Sequence, residues 1–151
     1  MELLNQTIHP FNGLDDIKLL ESFDEVKEYL KQNNIKYSVE HQSNKGCDPE
    51  VPWEIIHIDN SISLMFAKNK LWQIYLEGNF TGSLPNGIKI GMKMDDALKI
   101  DSSLKFDDLN EDYESESGYW LEDNIDDNTV LSIAIFIKEA LHDETFFKYN
   151  W

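Results

Sequence analysis

Apolar and polar residues follow two different periods along this chain, and each period predicts a different kind of element. Leu14, Ile17, Leu20, Phe23, Val26, Tyr29 and Leu30 recur at helical spacing. Within that stripe, Ser22 followed three residues later by Glu25 has the form of a capping box. Asp24 and Glu25 near the start and Lys31 near the end suit the helix dipole, so a helix is expected from about Phe23 to Asn33. Ile35, Tyr37 and Val39 then alternate with polar residues, which predicts a half-buried strand. Residues 42–52 read as a loop. Trp53 to Ile58 is a strand candidate, and Ile62 to Ala67 with Leu71 to Leu76 form a hairpin around Lys68-Asn69-Lys70.

The segment from Gly78 to Gly87 is the clearest break. It is short and lacks the composition of a linker, so it reads as a connection inside one domain. Ile88 to Ile90 suggests a short strand, and a short helix is expected near Met94 to Ile100. Gly118 to Leu121 and Thr129 to Ile137 form a second hairpin, whose later arm is the most strand-like stretch of the chain. Phe146, Phe147, Tyr149 and Trp151 make an aromatic tail expected to pack back on the body. The expected fold is one α+β domain over residues 1–151. Its sheet is mainly antiparallel and built of hairpins, with an N-terminal amphipathic helix and a second short one. Helix, strand and hairpin before Gly78 are faintly echoed by helix and hairpin after it.

Charge changes the picture. The net charge is −16 across 151 residues, and every basic side chain other than histidine is Lys. Ten of the 21 residues from Asp107 to Asp127 are acidic, with no Lys, Arg or His between Phe106 and Ile137. Such a surface repels nucleic acid and anionic membrane and attracts basic proteins. The lack of Arg argues against a bidentate phosphate or carboxylate clamp. One cysteine, Cys47, no basic-then-apolar leader and no apolar run of spanning length predict a cytoplasmic protein.

Candidate chemistry is sparse. His9, His41, His57 and His142 share no metal-ligand spacing with one another or with Cys47, and His57, between Ile56 and Ile58, reads as structural. No nucleophile-elbow, P-loop or dinucleotide glycine pattern occurs. Asp112, Glu114 and Glu116 have the first three spacings of a calcium loop, but Gly118 comes one place late and Asp123 stands where Glu belongs. No metal and no cofactor are therefore expected, and no catalytic residue is assigned.

Aromatic residues are interleaved with the acids, and such side chains anchor protein interfaces. The candidate partner-binding set is Asp107, Asp108, Glu111, Asp112, Glu114, Glu116, Glu122, Asp123, Asp126 and Asp127, with Tyr113, Tyr119 and Trp120 as anchors. Gly87-Ile-Lys-Ile-Gly-Met-Lys-Met-Asp-Asp-Ala-Leu, Gly118-Tyr-Trp-Leu-Glu-Asp and Ile133-Ala-Ile-Phe-Ile-Lys-Glu carry a resemblance. In these segments the chain resembles the small acidic immunity proteins found beside bacterial polymorphic toxins, including those of contact-dependent growth inhibition systems. The resemblance implies a non-enzymatic cytoplasmic protein that neutralises the C-terminal domain of one cognate toxin, often a nuclease. It implies a role and not an architecture, because immunity proteins share no common fold. Two other classes stand beside it: a small carboxylate-based enzyme or metal-binding module, and an acidic housekeeping or structural subunit.

Overall fold

The computed structural model describes residues 2–151. Helix α1 (Phe23–Gln32) starts at Ser22, whose hydroxyl accepts the Glu25 amide at 3.1 Å. The Glu25 carboxylate in turn accepts the Ser22 amide at 3.2 Å, so the capping box forms, and Val26 and Leu30 are buried. The apolar stripe upstream does not extend the helix. Leu14 and Ile17 are buried, but they sit on turns. Their neighbours Asp15 and Asp16 are committed elsewhere: Asp15 accepts the Thr7 amide at 3.1 Å, and Asp16 exchanges two hydrogen bonds with Gln6. Acidic side chains that bind distant backbone and amide groups compete with helix formation.

Four strands follow, β1 (Ser38–Gln42), β2 (Trp53–Ile58), β3 (Ile62–Ala67) and β4 (Lys70–Leu76). Helix α2 (Met94–Ile100) then leads into β5 (Lys105–Asp107), β6 (Asp112–Ser115), β7 (Tyr119–Asn124) and β8 (Thr129–Phe136). The faint echo in the sequence is thus a helix followed by a four-stranded meander, made twice. All eight strands join one antiparallel sheet in the order β1-β2-β3-β4-β8-β7-β6-β5. The two meanders meet where Gln73–Leu76 of β4 pairs with Ile133–Phe136 of β8.

Register explains the core. Ile56, Leu64, Ile74, Ile135 and Tyr119 lie side by side across five strands, and Ile58, Ile62, Leu76, Ile133 and Leu121 form a second row. Both rows are buried, on the face that joins Leu3, Ile8, Leu14, Ile17, the α1 residues and Met94 and Ala97 of α2 in one cluster. The opposite face is polar along His57, Ser63 and Tyr75, which are also side by side. At its rear edge the aromatic tail packs back: Phe146 and Tyr149 are buried, and Phe146 lies 4.6 Å from the Trp72 ring. A short helix α3 (Asp143–Phe146) carries that contact.

Three expectations are corrected. The first strand begins only at Ser38, and its Val39 is exposed because β1 is an edge strand. Ile88 to Ile90 makes a single bridge from Lys89 to Ser83 and no strand, since Gly87 and Gly91 bend the chain at φ 94° and 90° on either side. The acidic stretch contains two strands, β5 and β6, that no apolar period announces. No helix among the described residues is long and apolar enough to cross a membrane.

Asp101, at the end of α2, ties that helix to the sheet. Burial alone would raise its pKa, but hydrogen bonds from the Ser115, Tyr119 and Ser103 hydroxyls and the Ser103 amide outweigh it and hold the carboxyl at about 2. A carboxyl with a depressed folded pKa contributes stability that is complete above its unfolded pKa and lost as pH falls through the folded one. Asp101→Asn should therefore lower the thermal midpoint at pH 7, with the deficit against the native chain shrinking as pH is taken from about 4 to about 2. Thermal denaturation followed by circular dichroism across that range checks it.

Candidate functional site

The turns 108–111 (β5 to β6) and 125–128 (β7 to β8) lie at the same end of the sheet, because β6 and β7 are neighbours and antiparallel. This end gathers most of the predicted acids. Asp107 closes β5, Asp108 and Glu111 lie in the first turn, Asp123 nears the end of β7, and Asp126 and Asp127 lie in the second turn. Their geometry is set locally. The Leu109 amide donates to Asp107 at 2.9 Å, and the Thr129 hydroxyl donates to Asp127 at 2.6 Å, so both turns are braced by their own carboxylates. The Leu109 amide holds Asp107 below the usual carboxylate range, and Thr129 does the same for Asp127. Among the described residues, no ion pair within 4.0 Å involves any acid from Asp107 to Asp127.

Two residues that charge counting overlooks stand at the tips. Leu109 is 94% exposed and Ile125 is 90% exposed, each in the middle of an acidic turn. A groove of about 480 Å³ runs between the turns, lined by Phe106, Tyr113, Leu131, Ile125, Glu111 and Asp123 among others. An apolar residue at the centre of a polar turn was the available sequence signal. It has no fold role to explain it.

The predicted anchors separate. Tyr113 is half-buried, with its ring 5.1 Å from Phe106 on the groove side. Trp120 is also half-buried and lies on the polar face, 4.3 Å from the Phe136 ring. Tyr119 is a correction: it is 1% exposed and packs in the core, so it presents nothing to a partner. Its hydroxyl serves Asp101, and burial followed by that carboxylate raises its pKa to about 12. Glu122 is similarly occupied, accepting the Tyr75 and Ser132 hydroxyls at 2.6 Å each. Glu116 lies at the far end of β6, in the turn to β7, away from the other acids.

Asp112 departs furthest from expectation. Antiparallel register puts it directly opposite Asp107, and Glu114 lies two residues on along β6, on the same face. One carboxylate oxygen from each of Asp107, Asp112 and Glu114 lies within 4.8 Å of the others. Asn110 donates to Asp107 at 3.0 Å and to Glu114 at 3.5 Å. Asp112 is 93% buried, and its Oδ1 has no hydrogen-bond partner. Burial, and then the charge of Glu114, pushes Asp112 up to about 7. Asp107 and Glu114 also line a cleft of about 1080 Å³ against the C-terminal segment, together with Trp72, Trp120, His142 and Phe147.

His57 bridges Glu40 at 2.8 Å and Ser63 at 3.1 Å, a closed polar contact across β1, β2 and β3, and Cys47 is exposed on the β1 to β2 loop. No protein-family model, curated protein or solved structure matches the chain. The chemistry of this end of the sheet is therefore read from its own geometry.

An unpaired buried carboxylate costs stability, about 1–3 kcal/mol where a neutral isostere would avoid it. Asp112→Asn should accordingly raise the thermal midpoint of chelator-treated protein at pH 8. Asp126→Asn, in an exposed turn, should leave it within about 0.5 kcal/mol of the parent.

Proposed function

We propose that this chain is a non-enzymatic binding protein whose acidic sheet end captures a basic partner protein. The observation that carries the reading is the pair of turn tips. Leu109 and Ile125 stand almost fully exposed, ringed by Asp108, Glu111, Asp123, Asp126 and Asp127, with no ion pair to any of them among the described residues. Apolar groups at the centre of a charged rim have the composition of a docking surface: the rim steers, and the centre holds once desolvated. Tyr113 and Phe106 line the groove that Ile125 borders and extend the apolar surface beside that tip.

The partner this surface fits is a protein with a basic, partly apolar face. The C-terminal toxin domain implied by the resemblance, a nuclease above all, has that character, since a nuclease cleft is basic where it meets phosphate. Neutralisation then consists of occupying that cleft or a surface beside it. The setting of the acids at the tips argues for docking over catalysis, because Asp108, Glu111, Asp126 and Asp127 are all solvent-exposed on two turns.

The test is to co-express the tagged chain with the product of the gene immediately upstream and to measure association over a range of salt. The association rate should fall steeply from low to high salt while dissociation changes little. Charge reversal of Asp108, Glu111, Asp126 and Asp127 to Lys should slow association by about tenfold or more. Leu109→Ala with Ile125→Ala should instead speed dissociation, at a cost of about 2 kcal/mol for each tip central to the interface. Binding that ignores salt and all six substitutions would refute this surface as the contact.

A further inference from the structure

We propose that Asp107, Asp112 and Glu114 form a binding site for one oxygen-preferring divalent cation of the calcium, magnesium and manganese class. The site is not the calcium-loop pattern that sequence spacing suggests, since Glu116 and Asp123 take no part. It arises from pairing: β5 supplies Asp107, β6 supplies Asp112 and Glu114, and antiparallel register brings one oxygen of each within 4.8 Å of the others.

Three observations distinguish this group from ordinary surface acids. The first is the buried Asp112 carboxylate, whose Oδ1 is hidden from solvent and receives no hydrogen bond. Folding a charged oxygen into that position without a donor is unfavourable, and a cation is the partner that removes the penalty. The second is the absence of compensation. Neither lysine nor histidine forms an ion pair with these carboxylates among the described residues, and Asn110 reaches only Asp107 and Glu114. The third is access. Asp107 and Glu114 border the 1080 Å³ cleft, which gives a cation an entry path and room for the waters that complete six or more ligands.

The donor set decides the class. All three groups are carboxylates, hard oxygen ligands, with no imidazole or thiolate that would favour zinc or copper. Asp107 is held by the Leu109 amide and Asn110, so one of the three ligands is oriented in advance. The site adjoins one docking tip, since Leu109 borders the same cleft and its amide holds Asp107, but its three ligands are not the acids that ring the tips.

The experiment is titration of the intact, chelator-stripped chain with calcium, magnesium and manganese by calorimetry. Terbium serves as a luminescent probe excited through Trp120, which pairs with Glu114 across β6 and β7. The expected result is one equivalent of at least one cation bound below about 1 mM, with a thermal midpoint that rises on saturation and falls again with chelator. Asp112→Asn and Glu114→Gln should each weaken binding by about tenfold or more. The Asp126→Asn, Asp127→Asn double variant should bind within about twofold of the parent, because those acids lie outside the site. Asp112→Asn relieves an unfavourable burial, so loss of binding in that variant cannot be ascribed to unfolding. Absence of binding up to about 10 mM of all three cations, well above the weakest calcium sites, would overturn the proposal. Equal loss in the Asp126, Asp127 variant would overturn it too, as the mark of a diffuse ion atmosphere.

Discussion

Four residue pairs join the two halves of the sheet. Gln73, Ile74, Tyr75 and Leu76 of β4 meet Phe136, Ile135, Ala134 and Ile133 of β8, and each helix-plus-meander unit ends on one of these strands. The strands at this seam have neighbours on both sides and are the most buried of the sheet, as a central position requires. A single meander with one helix would leave its last strand unpaired and its apolar row half as long. Joined, the rows run from Ile56 to Tyr119 without interruption and present one surface for α1, α2 and the N-terminal segment to cover.

That arrangement also determines where the acids go. With the seam at the centre, β5 and β6 become the outer strands of the second unit, and their turn comes to lie beside the β7 to β8 turn. Most of the acids spread over 21 positions of sequence are thereby collected at one end of the sheet. Alternation along β6 then sorts its residues by face. Tyr113 and Ser115 point to the core side, where Ser115 serves Asp101, while Asp112 and Glu114 go to the polar side with Trp120. The same strand therefore contributes to an acid-lined groove, to a carboxylate cluster and to the tether of α2.

Much of this was legible in the residues. The capping box at Ser22, the hairpin at Lys68-Asn69, helix α2 and the β7 to β8 hairpin each carry a local signal strong enough to survive folding, and the structure contains them all. Asn69 and Lys68 adopt φ 63° and 50°, the left-handed pair that a two-residue hairpin turn requires. What escaped detection is what depends on partners distant in sequence. Strands β5 and β6 have no apolar period, since Asp112 and Ser115 are buried polar residues and only the neighbouring strand makes Asp-Tyr-Glu-Ser a strand. Tyr119 looked like a surface anchor because it follows an acidic run, yet its burial is decided by Ile135 beside it and Asp101 beneath it. Residues 14–20 share the helical spacing but lie outside the helix for a similar reason: Gln6 and Thr7 engage Asp16 and Asp15 instead.

The sheet ends in two strands of unequal but modest reach. β1 has five residues, of which four are exposed, and β5 has only three, with Lys105 at one end and Asp107 at the other. An open sheet of eight strands offers two free rows of backbone donors and acceptors, on which further copies could grow a fibre. Here one row is too short to template a register, and the other displays Glu40 and His41 to any approaching strand. At a net charge of −16, like copies also repel. The molecule can thus expose apolar tips at its acidic end without inviting its own polymerisation.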